Sequence, residues 1–437
     1  MSLWDEYDNQ HTSATTVKQK QTRRLTEQHI VSATREWLLQ DYASAYCRAL
    51  GTTRLYRRCY WIDAWGIDSR TTANQLPIDQ ETGTARGRKA GRAPSTPHLH
   101  PVIQPIVSLS QALTQENKPL ALNGLVLTAG SSKRKELRAM QNGQTTPEAT
   151  THSHTSKSEP FALPKESGIL RASWLEVAPR LLKEIEHAPA IFLLNPFGQT
   201  LFTYDDLALL YQRTSAPTEL CLLISHKQCE LYVTAAARSA VQSTTLTALL
   251  RTDRWKTLLP SEENAAFKIT DMLHLLQTSI RQHFLWVQSI PLAVQLRLAY
   301  VESAPYTLLF ATRRKDSLVS MNDAVCTYHR HLYAQSRQGV LAEDWFATQE
   351  HQRLAENIQQ LRQRTLHLGQ TQRSRRWPDL RQQLLLENFG QFTFSDYDKV
   401  ICELLLTGKV RCEWRQKAPS ANEEQRIPGN EDTLLWR

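Results

Sequence analysis

The chain has 437 residues, a length that fits two domains or one large α/β domain with an appendage. Its hydrophobic fraction is 41%, and 52 Lys+Arg residues against 43 Asp+Glu residues give a net charge of +9. No stretch approaches the roughly eighteen uncharged apolar residues of a membrane span, and the polar segment from Met1 to Lys20 lacks the apolar core of a secretion signal. Seven scattered cysteines form no CxxC pair, so no disulfide framework or zinc site is predicted, and a reducing cytoplasm is the expected location.

The first part of the chain alternates helical and strand-like patterns. The predicted elements are a helix between Arg23 and Leu50, a strand from Leu55 to Asp63, a helix from Val107 to Gln115, a strand from Ala121 to Thr128 and a short helix from Ser132 to Met140. Two polar stretches near residues 66–105 and 141–160 hold too few apolar residues to offset the entropy of ordering. They are predicted to be mobile loops.

The middle of the chain continues the same alternation. The predicted elements are a helix from Ser173 to His187, a strand from Ala190 to Leu194, a helix from Tyr204 to Arg213, a strand from Glu219 to Ser225, a helical region from Ala235 to Phe284 and two late strands, Leu296 to Val301 and Tyr306 to Ala311. Strands separated by helices predict an α/β fold: a mostly parallel, Rossmann-like sheet with helices on both faces.

The tail changes character after Ser320. It is helical and rich in Gln and Arg, and its last part predicts a basic linker from Arg373 to Trp377, a helix from Asp379 to Asn388, a helix from Asp396 to Leu406 with Ser395 as N-cap, a C′ glycine at Gly408 and a strand from Lys409 to Trp414. This order is typical of a winged helix. The predicted domains are therefore a flexible segment 1–21, an α/β domain 22–345 and a winged-helix-like domain 346–437.

Four segments in this order resemble the three-Cys-motif partner (TcmP) family of bacterial proteins. They are Gln28-His29, the run from Tyr60 to Gly66, the run from Phe192 to Gly198, and Arg251 to Trp255 followed by Tyr306 to Thr312. Family members resemble class I methyltransferases, so the resemblance implies a methyltransferase-type sheet, a winged-helix-like tail, S-adenosylmethionine as cofactor and a protein partner.

The resemblance also implies where a cofactor would bind. Asp63 and Gly66 lie where such a fold has its cofactor turn, but Trp65, Ile67 and Asp68 crowd a turn that should be small and glycine-rich. The segment from Leu125 to Gly130 offers no carboxylate for the ribose hydroxyls. Binding of S-adenosylmethionine is therefore expected to be weak or absent.

Candidate catalytic residues follow the strand from Ala190 to Leu194. Asn195, Pro196 and Phe197 resemble the turn with which amino-group methyltransferases accept hydrogen bonds from the target amine. Structural interpretations of both residues stay open, because Asp63 is also suited to capping a strand end and Asn195 to stabilising a strand-to-helix turn.

Clustered cations indicate nucleic acid as a partner, since Lys and Arg side chains neutralise phosphates. The candidate binding residues are Arg86, Arg88, Lys89 and Arg92 in one loop, Lys133, Arg134 and Lys135 in another, and Arg373, Arg375 and Arg376 before the last helices. Spare charge on solvated loops is the alternative.

Three functions remain open from the sequence. They are an active nucleobase amino-methyltransferase, a nucleic-acid-associated binding or scaffold protein on a catalytically impaired methyltransferase fold, and a hydrolase. The degenerate cofactor turn favours the second, and the absence of a carboxylate cluster disfavours the third. Loop histidines without paired Cys or acidic neighbours do not predict a metal site.

Overall fold

The computed structural model describes residues 27–65, 103–116, 120–128, 167–170, 172–198, 200–259, 267–293, 295–297, 300–337, 343–373, 375–415 and 426–437. The chain divides into two compact units. The first comprises Met1–Tyr46, Ile290–Tyr306 and Lys315–Arg437, and the second comprises Cys47–Ser289 and Thr307–Arg314. The predicted helix from Ser132 to Met140 and the two predicted loops, apart from residues 103–105, lie outside the described residues, and the predicted domain boundaries stay predictions.

The described ranges contain twelve α-helices. They are α1 (Glu27–Ala33), which continues through a π-helical turn (Thr34–Leu39) into α2 (Gln40–Thr53), α3 (Gln104–Gln115), α4 (Trp174–Glu184), α5 (Tyr204–Tyr211), α6 (His226–Arg238), α7 (Ala240–Leu250), α8 (Ile269–Arg281), α9 (Lys315–Arg337), α10 (Glu343–Gln372), α11 (Trp377–Glu387) and α12 (Phe394–Leu406). A 3-10 turn (Arg254–Leu258) precedes α8.

The main sheet has seven strands. They are β1 (Arg58–Asp63), β2 (Ala121–Leu127), β3 (Gly168–Leu170), β4 (Ala190–Leu194), β5 (Thr218–Ser225), β6 (Trp286–Leu292) and β9 (Tyr306–Thr312), in the order β3-β2-β1-β4-β5-β9-β6. The pairs β1–β2, β1–β4, β2–β3 and β4–β5 are parallel. Every residue of β4 and β5 is buried, as expected for strands covered on both faces. The prediction that the four strands β1, β2, β4 and β5 share one mostly parallel sheet is confirmed.

The strand order contains a switch point at β1. The chain builds β2 and β3 on one side of β1 and then returns to place β4 and β5 on the other side. In doubly wound sheets, ligands bind outside the carboxyl ends of the strands at this position. Asp63, the last residue of β1, is paired in register with Leu193, one residue before the end of β4. The ends of β1 and β4 therefore define the place where a site is expected.

Strand β9 runs opposite to β5. Nε2 of His226, which follows β5, lies 2.8 Å from Oγ1 of Thr307, the second residue of β9. Arg313, which follows β9, donates a hydrogen bond of 2.7 Å to the carbonyl oxygen of Tyr211, which precedes β5. The end of each strand thus lies beside the beginning of the other.

Helix α3 packs closely against the sheet at a glycine of β2. A Cβ atom at Gly124, in the middle of β2, would lie 2.8 Å from Cδ1 of Ile106 on α3. The missing side chain leaves room for Ile106 of α3 on the strand, so a larger residue here would collide with the Ile106 side chain.

The tail ends in two helices and a small antiparallel sheet. Strands β10 (Val410–Glu413) and β11 (Thr433–Trp436) pair directly after α11 and α12. Gly408 has a φ of 68°, which confirms the predicted C′ glycine. The N-cap of α12 is Thr393 and not the predicted Ser395, because Oδ2 of Asp396 accepts hydrogen bonds from both the backbone N–H and the hydroxyl of Thr393.

Two further predictions about elements were wrong. The first strand begins at Arg58 and not at Leu55, whose side chain is 76% exposed and contributes nothing to the sheet. The region from 235 to 284 is helical as predicted, and in its described part Ser239 and the left-handed Arg251 divide it into separate helices. The predicted strand from Leu296 to Val301 is an antiparallel hairpin of β7 (Gln295–Arg297) and β8 (Tyr300–Ser303).

Candidate functional site

Asp63 lies at the switch point, at the carboxyl end of β1. Its side chain is fully buried, and its Oδ1 accepts a hydrogen bond of 3.0 Å from the backbone N–H of Trp65. This is the geometry of an Asx turn, in which a carboxylate stabilises the chain reversal after its own strand. Gly66, the other predicted cofactor-binding residue, lies outside the described residues.

Trp65 fills the space beside this turn. Its side chain is only 9% exposed, and its indole N–H donates a hydrogen bond of 3.3 Å to the carbonyl oxygen of Cys221 in β5. Asp63, Leu193 and Cys221 lie in one register row across β1, β4 and β5. Neighbouring strands are about 4.8 Å apart, so the indole must cross β4 to reach Cys221. The ring therefore lies at the switch point.

Asn195 begins the turn that follows β4. Its Oδ1 accepts a hydrogen bond of 3.2 Å from the backbone N–H of Phe197, and its carbonyl oxygen accepts one of 3.2 Å from Gly198. The carbonyl oxygen of Pro196 accepts a third bond, of 3.0 Å, from the N–H of Phe202. The side-chain oxygen of Asn195 and both backbone carbonyl oxygens thus each accept one hydrogen bond from the protein itself.

Phe197 belongs to the hydrophobic core. Its ring is fully buried, with its centroid 6.2 Å from that of Tyr232 on α6. The Tyr232 hydroxyl donates a hydrogen bond of 2.8 Å to the carbonyl oxygen of Gly198, and burial raises its pKa. The structure thus brings Asn195, Pro196 and Phe197 to the expected edge of the sheet, but it points the aromatic ring into the core.

Sequence reasoning did not single out Ser225, the last residue of β5, or His226, which follows it at the same edge of the sheet. Ser225 caps α6 by accepting a hydrogen bond of 3.4 Å from the N–H of Gln228. Burial lowers the pKa of the neighbouring His226, so its imidazole is neutral at pH 7. The signal in the sequence was their place: they are the first polar side chains after the apolar run from Leu220 to Ile224.

The end of β2 offers no acidic group. Within the described residues 120–128, the only side chain with a hydroxyl is that of Thr128, and none carries a carboxylate. Among the residues that the structure describes, no group of three His, Cys, Asp or Glu side chains is arranged to hold a metal ion. None of the described helices is both long enough and apolar enough to cross a membrane.

Of the three predicted basic clusters, only the last lies in the described residues. Arg373, Arg375 and Arg376 are exposed and immediately precede α11. Two further exposed cations lie in the segment predicted as the last strand: Arg411 belongs to β10, and Lys409 immediately precedes it. The loop clusters at 86–92 and 133–135 lie outside the described residues.

Comparisons with known proteins give this chain no relative: no protein-family model, no curated protein and no solved structure matches it.

Proposed function

We propose that this chain is a TcmP-type protein in which a methyltransferase-like fold serves nucleic-acid association, with impaired binding of S-adenosylmethionine. The strand order supports the fold part of the proposal, because six strands follow the doubly wound order and β9 is inserted between β5 and β6. This insertion, with its reversed direction, resembles the sheet of class I methyltransferases.

The main evidence for impaired binding of S-adenosylmethionine is the position of Trp65. Its buried indole lies across β4 at the switch point, where a nucleotide-like ligand of a doubly wound sheet would bind. Asp63 is fully buried, and its Oδ1 accepts a hydrogen bond from the backbone N–H of Trp65. The residues present do not fit S-adenosylmethionine, since the crevice is occupied and the end of β2 lacks an acid for the ribose.

An active nucleobase amino-methyltransferase is the alternative, and one observation favours it. The Asn195-Pro196 turn lies at the carboxyl end of β4, next to the switch point, as such a reaction requires. Against it, Oδ1 of Asn195 is engaged by Phe197, whose buried ring is not positioned to stack on a base. A purely structural scaffold for a partner protein is the second alternative.

Calorimetric titration of the full chain with S-adenosylmethionine tests the proposal. A carboxylate–hydroxyl hydrogen bond contributes roughly 1.5–3 kcal/mol, so its absence weakens binding about tenfold to hundredfold. With the crevice also blocked, we expect a dissociation constant in the millimolar range or no detectable heat.

Two matched variants decide the interpretation of any binding. Asp63→Asn keeps an oxygen acceptor for the backbone N–H of Trp65 but removes the negative charge. As the control, Asp205→Asn removes an exposed carboxylate from α5. Micromolar binding that Asp63→Asn abolishes and Asp205→Asn retains would contradict the proposal and favour the enzyme.

A further inference from the structure

Two buried cysteines of the second unit lie in contact. Cys47 belongs to α2 and Cys59 is the second residue of β1, and both side chains are fully buried. The Cys59 thiol is hydrogen-bonded to the Cys47 thiol, which is the main effect that raises the pKa of Cys59. Eleven residues separate the two cysteines along the chain, in no CxxC pattern, so the tertiary structure alone brings them together.

The surroundings of the thiol pair show independently that the end of α2 lies on this face of the sheet. Arg48, on α2, donates hydrogen bonds of 2.8 and 3.1 Å to the two carboxylate oxygens of Glu116 at the end of α3. Helix α3 packs against Gly124 of β2, which pairs in register with Trp61 of β1. Side chains two residues apart on a strand share a face, so Cys59 points toward the layer that contains α3 and the end of α2.

The hydrogen bond gives the two sulfur atoms different roles. A hydrogen bond that raises the pKa of Cys59 is one in which its S–H is the donor, and a donor stabilises the thiolate of its acceptor, Cys47. Burial and the charge of Glu219 raise the pKa of Cys59 further, against the opposing charge of Arg213. Cys47 is therefore the sulfur placed to attack an oxidant, and Cys59 is the sulfur placed to attack Cys47 afterwards.

Burial decides which oxidant can reach the pair. Both side chains lie below the surface, so bulky disulfide reagents are excluded until the protein opens locally. Hydrogen peroxide is little larger than a water molecule and needs a much smaller opening. Because buried thiols react slowly, the pair is suited to sustained oxidation and not to a rapid response.

We propose that Cys47 and Cys59 form a reversible disulfide when hydrogen peroxide oxidises the protein, and that this bond locks the end of α2 to β1. The Cys47 sulfur first attacks one peroxide oxygen: an S–O bond forms, the O–O bond breaks, and the departing hydroxide takes up the thiol proton as water. The Cys59 sulfur then attacks Cys47: the S–S bond forms, the S–O bond breaks, and the hydroxyl leaves as water with the Cys59 proton. Two thiols lose two electrons, and one peroxide is reduced to two water molecules.

The disulfide would stabilise the strand that ends at the switch point, since β1 runs from Cys59 and its neighbour Arg58 to Asp63. A link across eleven residues restricts the unfolded chain more than the folded one. We therefore expect the oxidised protein to melt at a temperature roughly 5–10 °C above that of the reduced protein.

Peptide mapping of the full chain by mass spectrometry tests the proposal. The reduced protein is treated with hydrogen peroxide, its remaining thiols are alkylated after unfolding, and tryptic peptides are compared before and after addition of dithiothreitol. Trypsin cleaves after Arg48 and Arg58, so the two cysteines fall on separate peptides. We expect the protein to lose two of its seven free thiols and to yield a peptide joining Cys47 to Cys59, which dithiothreitol separates.

Single substitutions provide the controls. Cys47→Ala and Cys59→Ala should each abolish the joined peptide and the rise in melting temperature. Cys229→Ala, which removes a fully buried thiol from α6, should retain both. A treated wild type in which Cys47 and Cys59 stay free, pair with other cysteines or become sulfinic acids would overturn the proposal and leave two packed thiols. The wild-type peptide map decides this by itself, so the test holds even where a variant fails to fold.

Discussion

Replacing Trp65 tests whether its indole is the element that closes the switch point. Trp65→Phe keeps an aromatic ring but removes the N–H that bonds the carbonyl oxygen of Cys221 at 3.3 Å. A hydrogen bond of this kind contributes about 0.5–1.5 kcal/mol, and more when the abandoned acceptor stays buried. Trp65→Ala also leaves a cavity, and such changes cost about 3–5 kcal/mol.

Trp174 provides a matched control within the same unit. Its side chain is 4% exposed, and its indole N–H has no hydrogen-bond partner among the described residues. Trp174→Phe therefore loses a similar ring area without losing a hydrogen bond. We expect Trp65→Phe to reduce the free energy of unfolding by about 1 kcal/mol more than Trp174→Phe does.

Differential scanning calorimetry is a suitable assay, since about 1 kcal/mol shifts the melting temperature of a unit of this size by roughly 2–4 °C. The reasoning is refuted if Trp174→Phe destabilises the protein as much as Trp65→Phe. Trp65 would then lack the anchoring bond to β5 that places its indole over β4.

Two further predictions concern the first unit. Asn322→Ala should destabilise it by about 2–4 kcal/mol, because the buried side-chain amide makes two hydrogen bonds. The amide donates to the Phe392 carbonyl oxygen at 2.8 Å and accepts from the Gly390 N–H at 2.9 Å. Urea denaturation measures the loss of stability, and an unchanged midpoint would contradict the prediction. We also expect the first unit to lose stability in acid because of His329. Burial is the main effect that lowers the pKa of His329; the hydrogen bond to the Gly390 carbonyl oxygen raises it, and the nearby charge of Arg353 lowers it. The unfolded chain then binds the proton first, so stability should fall as the pH drops below about 6.5 and level off below the folded pKa. His329→Asn should flatten that part of a pH series of urea titrations, and an unchanged slope would rule His329 out.

Much of the architecture follows from local pattern alone. β4, from Ala190 to Leu194, was predicted to the residue, because a short apolar run between turn-forming residues has few alternatives. Element ends were less predictable: Ser395 and Thr393 are both good N-caps, and only the side-chain bonds of Asp396 decide between them.

The candidate site shows where sequence reasoning ends. Asp63 and Asn195 were candidates because the resemblance places each at the end of a strand, but 131 intervening residues separate them along the chain. Their approach depends on the strand order that makes β1 and β4 neighbours, and strand order is a non-local property.

What the sequence determined by itself is the class of fold, the crowding of the turn after Asp63 and the arginine cluster Arg373, Arg375 and Arg376 before the last helices. The tertiary structure alone decided that Trp65 reaches the Cys221 carbonyl across β4, that Phe197 points into the core, and that Arg375 lies beside the strand that pairs with Arg411. Each of these depends on contacts between residues far apart in the chain. Local periodicity reports which face of an element is apolar, but it carries no information about which distant element that face will meet.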